Sequence, residues 1–252
     1  MNRPTDRRDG PEPADPQRRI LIGAAGAGVV VATFGGILGA GSAWAAEHGP
    51  LRWGVVGTGG IANSMAPRII EAEGAALAAV SSRRMETAKE FAGKHNVPHA
   101  FDSWEKMIAS DTIDAVYIAT PTSVREEIGV AAANQGKHVL GEKPFANLPS
   151  LRRIVAACRE NGVGFMDGTH FPHLARTRRI QAEMAALAGR PWSVASAFQF
   201  NLTDTSNIRL RPDLEPYGAI GDAGWYNMRA AVEFLPDDVE LVLSLIHISE
   251  PT

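Results

Sequence analysis

Three short stretches hold side chains whose types and spacing could do chemistry. Gly141-Glu142-Lys143-Pro144-Phe145 places an ammonium immediately before a proline, at the end of an apolar run. A lysine set there can present fixed positive charge to a developing oxyanion. Far downstream, "GAIGDAGWYNMRAAVEFL" enters a helix through glycines, with Asp222 and Tyr226 at i and i+4. That spacing puts a carboxylate and a phenol on one helical face. Alone they read as an N-terminal helix charge and a packing residue. With an ammonium in reach, they make a set that could hold and deliver a proton. The third stretch is Gly57-Thr58-Gly59-Gly60-Ile61-Ala62, a G-x-G-x-x-A loop. Gly57 permits a tight turn, Gly59 lets a pyrophosphate approach the backbone, and Ala62 allows close helix-on-strand packing. The chemistry is dinucleotide binding, provided strand and helix flank the loop.

They do. Leu51 to Val56 reads as a short apolar strand, Ile61 to Ile70 as a helix and "ALAAVSS" as a second buried strand. The alternation continues through "DAVYIAT" (strand), "SVREEIGVAAANQG" (helix), "HVLGEKP" (strand), "SLRRIVAACRENG" (helix) and "VGFMDG" (strand). The fold class is therefore α/β: a Rossmann doubly wound parallel sheet over residues 46–167, with ligand at the carboxyl ends of the strands. Residues 168–242 read as a second, α+β substrate domain, with "PWSVASAFQFN" as one strand of a sheet that is otherwise missing. The second strand of the Rossmann half ends in Ser81-Ser82-Arg83-Arg84 rather than an acid. Ser82 and Arg83 suit a 2′-phosphate, so NADP is expected over NAD.

With "GEKPF", Thr120-Pro121 and the glycine loop together, the chain resembles the Gfo/Idh/MocA oxidoreductases. "SSRRMETAKEFAGKHNVPHAFDSWEKMI" is similar to the branch holding dihydrodiol dehydrogenases and glucose–fructose oxidoreductase. The resemblance implies hydride transfer between a nicotinamide cofactor and a sugar, polyol or related compound. It places Gly57, Thr58, Gly59, Gly60, Ile61, Ala62, Ser82, Arg83, Thr120, Pro121, Glu142 and Lys143 on the cofactor. Lys143, Asp222 and Tyr226 become the catalytic set: Tyr226 the general acid/base with its pKa lowered by Lys143, Asp222 orienting a substrate hydroxyl. Thr169 and His170 are expected on the substrate, and His173 is structural. His170 and His173 lack a third ligand of sensible spacing, so no metal is expected. Where the family often has a histidine after Thr-Pro this chain has Arg125, and that contact is not carried over. Two other readings stay open: an exported glycosidase using transient oxidation by bound NAD, and a non-catalytic ligand-binding member.

Composition sets the outer limits. With 45% hydrophobic residues, 21% charged and a net charge of -3, the chain is globular in type and carries no nucleic-acid footprint. Cys158 is the single cysteine, read as a small core residue. Residues 1–45 combine a polar start, Arg18-Arg19 and an uncharged Gly/Ala-rich run ending in "SAWAA", resembling a twin-arginine signal. Export through the twin-arginine translocase is expected, to the periplasm or beyond, with an uncleaved membrane anchor as the alternative. A folded cargo would carry its cofactor out, tightly held. The terminal "LSLIHISEPT", residues 243–252, matches a sequencing-adaptor translation. On that reading the second domain is cut short and the fragment as written is inactive, whereas the intact parent would be a homo-oligomer.

Overall fold

The computed structural model describes residues 49–187 and 193–235. The readings of residues 1–45 and 243–252 lie outside them. At the centre are six strands: β1 (Leu51–Val56), β2 (Ala75–Ser81), β3 (His99–Phe101), β4 (Ala115–Ile118), β5 (His138–Gly141) and β6 (Phe165–Asp167). Every pairing is parallel, and the order across the sheet is β3-β2-β1-β4-β5-β6. Parallel neighbours need crossovers, which are supplied by α1 (Gly60–Glu71), α2 (Met85–His95), α3 (Trp104–Ile108), α4 (Arg125–Asn134) and α5 (Leu148–Glu160). The order reverses between β1 and β4, opening a crevice at their carboxyl ends.

Side-chain alternation along the strands divides the interior into two cores. Val55, Val80 and Tyr117 pack with Ala62, Ala66 and Ile69 of α1 and Phe91 of α2. Val56, Ala79, Val116 and Ile118 pack on the other face with Met107, Ile128, Ala132, Ile154 and Cys158 from α3, α4 and α5. Covered on both faces, the strands need uninterrupted apolar runs, which is how they read in the sequence. Burial pushes the Cys158 thiol up to about 11, as an inert packing residue requires.

The sequence carries no clear signal for β3 and α3, and α2 is marked only by its ends. β3 is three residues long and α3 only five, too short for periodicity to mark. Local chemistry defines them instead: Asn96 takes a left-handed conformation (φ 55°) to end α2, and Ser103 accepts from the Lys106 amide to start α3. Pro67 lies inside α1, where it forfeits a backbone bond. Ala62, Ala66 and Ile69 are buried around it and keep the helix on the sheet.

Beyond β6 the chain forms α6 (Ala175–Ala186), a π-helical turn (Ile220–Gly224) and α7 (Trp225–Phe234). The expected strand in "PWSVASAFQFN" does not form over Ser193–Asn201. A strand exists by pairing, and among the described residues none is positioned to pair with it. Phe198 and Phe200 consequently stay half-exposed, at 46% and 49%.

Two substitutions test this packing. Ile154 is 1% exposed and presses on Gly129, so Ile154→Ala should cost about 2–5 kcal/mol in urea unfolding, and a loss under about 1 would contradict the core described. Gly57 has φ +102°, and a Cβ there would stand 2.9 Å from the Ala119 carbonyl oxygen. Gly57→Ala should therefore cost about 1–3 kcal/mol in the same assay.

Candidate active site

A cleft of about 1440 Å³ opens at the carboxyl ends of β1, β2, β4 and β5. One wall comes from the sheet: Gly57, Gly59, Gly60 and Ile61 in the glycine loop, Ser82 and Arg83 after β2, Thr120 and Pro121 after β4, Glu142 and Lys143 after β5. The other wall comes from the later segment, with His170, Phe198, Phe200, Arg209, Asp222 and Tyr226. Sequence positions more than eighty residues apart thus meet in one cavity.

The sheet side fits a dinucleotide. A Cβ added at Gly59 or Gly60 would meet nothing within 4 Å, so the loop leaves room that a side chain would fill. No side chain caps α1 at Gly59, and its first turn carries no acid, so its free amides are available to an anion. Two buried hydroxyls on this wall, Ser81 Oγ and Thr120 Oγ1, have no hydrogen-bond partner among the described residues. Buried polar atoms seldom go unpaired unless something else supplies the bond. Arg83 is exposed beside Ser82, with no acidic residue at the end of β2. Thr58 and Ala62 are not in the cleft wall; Ala62 is fully buried on the sheet-facing side of α1, where only a small side chain fits.

Lys143 is the joint between the walls. Its Nζ donates to Asp222 Oδ1 at 2.6 Å and to the Asp222 carbonyl at 2.9 Å. It also lies 4.5 Å from the centroid of the Tyr226 ring, in cation–π geometry. Both side chains of the pair are about nine-tenths buried. The π-helical turn around Asp222 widens the helix start, a device that turns backbone and side chain toward a site. Glu142 is buried and accepts a hydrogen bond from Tyr117 at 2.6 Å. Gly168 lets the chain pass Glu142: a Cβ there would stand 3.0 Å from its carboxyl group.

Tyr226 departs from expectation. Its phenol is held above its ordinary value, because burial and the charges of Glu142 and Asp222 outweigh Arg209. Lys143 faces the ring rather than the hydroxyl and is spent on Asp222, so it does not supply the lowering expected of it. Asp222 differs too. Burial alone would raise its pKa, but the Arg209 and Lys143 bonds overcome that and hold it below the usual carboxylate range. Each of its oxygens is engaged by a cation, so toward the cleft Asp222 acts mainly by placing Lys143 and Arg209.

Of the two expected substrate contacts, only His170 lines the cleft. Thr169 is 1% exposed, outside the wall, and accepts the Trp225 indole N–H at 2.7 Å. His173 is exposed and away from the cavity. Arg209 and Glu215 carry no sequence signal, since they sit in a polar, irregular stretch, and Phe198 and Phe200 fall in the stretch expected as a strand, not as part of the site. Phe198 packs on Tyr226 with ring centroids 4.6 Å apart.

Known proteins share this fold. A family model described as "Oxidoreductase family, NAD-binding Rossmann fold" matches residues 51–169. Over these residues the chain matches the Gfo/Idh/MocA family. The chain is 34% identical over 199 residues to a scyllo-inositol 2-dehydrogenase (NADP(+)) of Bacillus subtilis, covering 75% of this chain and 60% of that protein. It is also 34% identical to a D-xylose 1-dehydrogenase (NADP(+)) of Haloferax volcanii, covering 75% and 59%. Among solved structures it is similar to a 3-ketoreductase from Actinomadura kijaniata in complex with NADP and TDP-benzene, with a TM-score of 0.69, 30% identity, and 73% of this chain and 57% of that one covered. The chain thus spans about 60% of the length of these relatives.

Within this Gfo/Idh/MocA frame Arg125 has a definite place. It is 6% exposed and donates to the carbonyls of Thr120 and Pro144 and to Thr122 Oγ1. Glu215, from the later segment, accepts from the Thr122 amide at 3.1 Å and from its hydroxyl, with Arg125 4.0 Å away. Burial lowers the Arg125 pKa and the carboxylates of Glu215 and Glu142 oppose that. Arg125 thereby clamps the two loops that border the cleft.

The Arg209–Asp222 bond gives a pH test. A carboxylate whose folded pKa is depressed adds stability above its unfolded pKa of about 3.9, lost as pH falls through the folded value. Arg209→Met should lower stability by about 1 kcal/mol at pH 7, since Arg209 is partly exposed and its contribution screened. Thermal melts of the two proteins should draw together only as pH falls through the folded carboxylate's value, below the usual carboxylate range; a gap that widens on acidification would contradict the depressed carboxylate.

Proposed function

We propose that this chain carries the cofactor-binding half and the proton-transfer residues of an NADP-dependent oxidoreductase acting on a sugar, polyol or related hydroxy or carbonyl compound. The observation that carries the reading is Lys143, which leaves the cofactor-side β5 and is bonded to Asp222 while covering the Tyr226 ring. Proton donor, positive charge and dinucleotide loop then share one cleft. The dinucleotide, when bound, supplies or accepts hydride. The glycine loop and α1 amides would hold its pyrophosphate, with Ser82 and Arg83 at a 2′-phosphate. The exposed Arg83 and the NADP(+) named for two relatives support that preference over NAD.

The protein's own residues set the direction. A phenol with a raised pKa keeps its proton at neutral pH, so Tyr226 is poised to protonate the oxygen of a carbonyl being reduced. Lys143 and Arg209 stabilise negative charge developing there. In the oxidative direction the phenol must first be deprotonated. Phe198 and Phe200, beside Tyr226, offer an aromatic wall to the C–H face of a sugar ring. The Arg18-Arg19 stretch supports export of the folded protein by the twin-arginine translocase with cofactor already in place, which favours tight retention of NADP. Assembly of copies through the second domain completes the proposal.

Tyr226→Phe should lower kcat by about 10²–10⁴-fold while NADPH affinity is unchanged. Carbonyl reduction should be insensitive to pH up to about 10, and alcohol oxidation should climb through the alkaline range. Assays with inositol- and xylose-type substrates and NADPH fluorescence check both. Full activity in the phenylalanine variant, or no NADPH binding by the parent chain, would overturn the reading.

A further inference from the structure

Asn63 is not in the cleft wall, yet its side chain holds the loop that is. It stands in the first turn of α1. Its Nδ2 donates to the carbonyl oxygens of Thr58 and Gly59, each at 3.0 Å. Its Oδ1 accepts from Lys94 Nζ at 3.0 Å and lies 2.9 Å from His95 Nε2. An ammonium can only donate, so the amide orientation is fixed from outside: oxygen toward α2, nitrogen toward the loop. Burial, then the neighbouring Lys94, lowers the His95 pKa. The ring is neutral at pH 7, with its proton on Nε2 for this bond.

A trans peptide points its C=O and the following N–H in opposite directions. Holding Thr58 O from behind therefore turns the Gly59 N–H the other way, and holding Gly59 O does the same for Gly60. Gly59 O also accepts the Asn63 backbone amide at 3.0 Å, so the bond that only the side chain supplies is the one to Thr58. Consecutive glycines have no intrinsic preference that would set these planes. Both glycines line the cleft, and no side chain caps the helix there.

We propose that Asn63 is the positioning residue that aims the Gly59 and Gly60 amides at the pyrophosphate of a bound dinucleotide, itself held by Lys94 and His95. The inference rests on the dinucleotide reading of the loop. Removing the side-chain donor frees the Thr58–Gly59 peptide to rotate and costs the anion one aligned amide.

The test is equilibrium binding to the full chain, read by NADPH fluorescence, with 2′-AMP as a competitor that lacks the pyrophosphate. Asn63→Leu should weaken NADPH binding about tenfold, the equivalent of one charge-assisted hydrogen bond, and leave 2′-AMP competition unchanged. NADPH affinity within twofold of the parent, or equal losses for both ligands, would overturn it. Should Asn63→Leu fail to fold, Asn63→Asp keeps an oxygen for Lys94 and His95, removes the donor and adds one negative charge. Its deficit relative to the parent should persist at about 0.5 M salt, where simple charge repulsion is screened. A deficit that vanishes in salt overturns the proposal. A parent chain that binds no NADPH removes the dinucleotide reading and this inference together, whereas normal binding by parent and variants removes this inference alone.

Discussion

Removing the Lys143 ammonium from water after β5 costs solvation that Asp222 returns, through a carboxylate oxygen and a carbonyl oxygen. Much of the cleft depends on that exchange. It ties the sheet to a segment starting more than seventy residues later, and it sets Lys143 over the Tyr226 ring. It also consumes the charge that would otherwise have lowered the phenol's pKa. The ion pair thus helps set where Tyr226 stands, while burial and the charges of Glu142 and Asp222 keep its proton on. Gly221 makes the approach possible, since a Cβ there would stand 3.2 Å from Pro144 Cγ and closer still to Tyr217.

The same exchange of solvation for fixed partners is repeated along the cleft. Arg125, deeply buried, is returned its lost water by the Thr120 and Pro144 carbonyls and by Glu215. Glu142 is compensated by the Tyr117 hydroxyl, whose own pKa is raised by burial and by the carboxylate it serves. Buried charges of this kind add little net stability, but removing one partner is costly, so they hold geometry. On the opposite wall the aromatic side chains lack cover. Phe198 packs on both Tyr226 and Phe200, while Phe198 and Phe200 remain half-exposed.

The dinucleotide side is built differently. Around the glycine loop it offers backbone amides, two hydroxyls unpaired among the described residues and empty space at Gly59 and Gly60. Such a surface has room and hydrogen-bonding groups for an anion and its sugars, whereas the Lys143–Asp222 side is satisfied as it stands. Asn63 belongs to this side, because what it orders is a peptide plane.

Much of this was present in the one-dimensional pattern. Apolar runs of strand length, helices ending in glycine and a G-x-G-x-x-A loop are local signals, dictated by φ/ψ preferences and by burial on both faces of a sheet. They determined the α/β class, the parallel sheet and the positions of Gly57, Gly59 and Lys143. Spacing alone placed Asp222 beside Tyr226. Tertiary structure decided what the groups do to one another: that Lys143 bonds to Asp222 and not to the phenol, that Thr169 serves Trp225, and that Arg209 and Arg125 belong to the cleft. It also decided that "SVASAFQFN" is not a strand. Pairing and ionisation depend on partners far along the chain, and no local preference encodes a partner's distance.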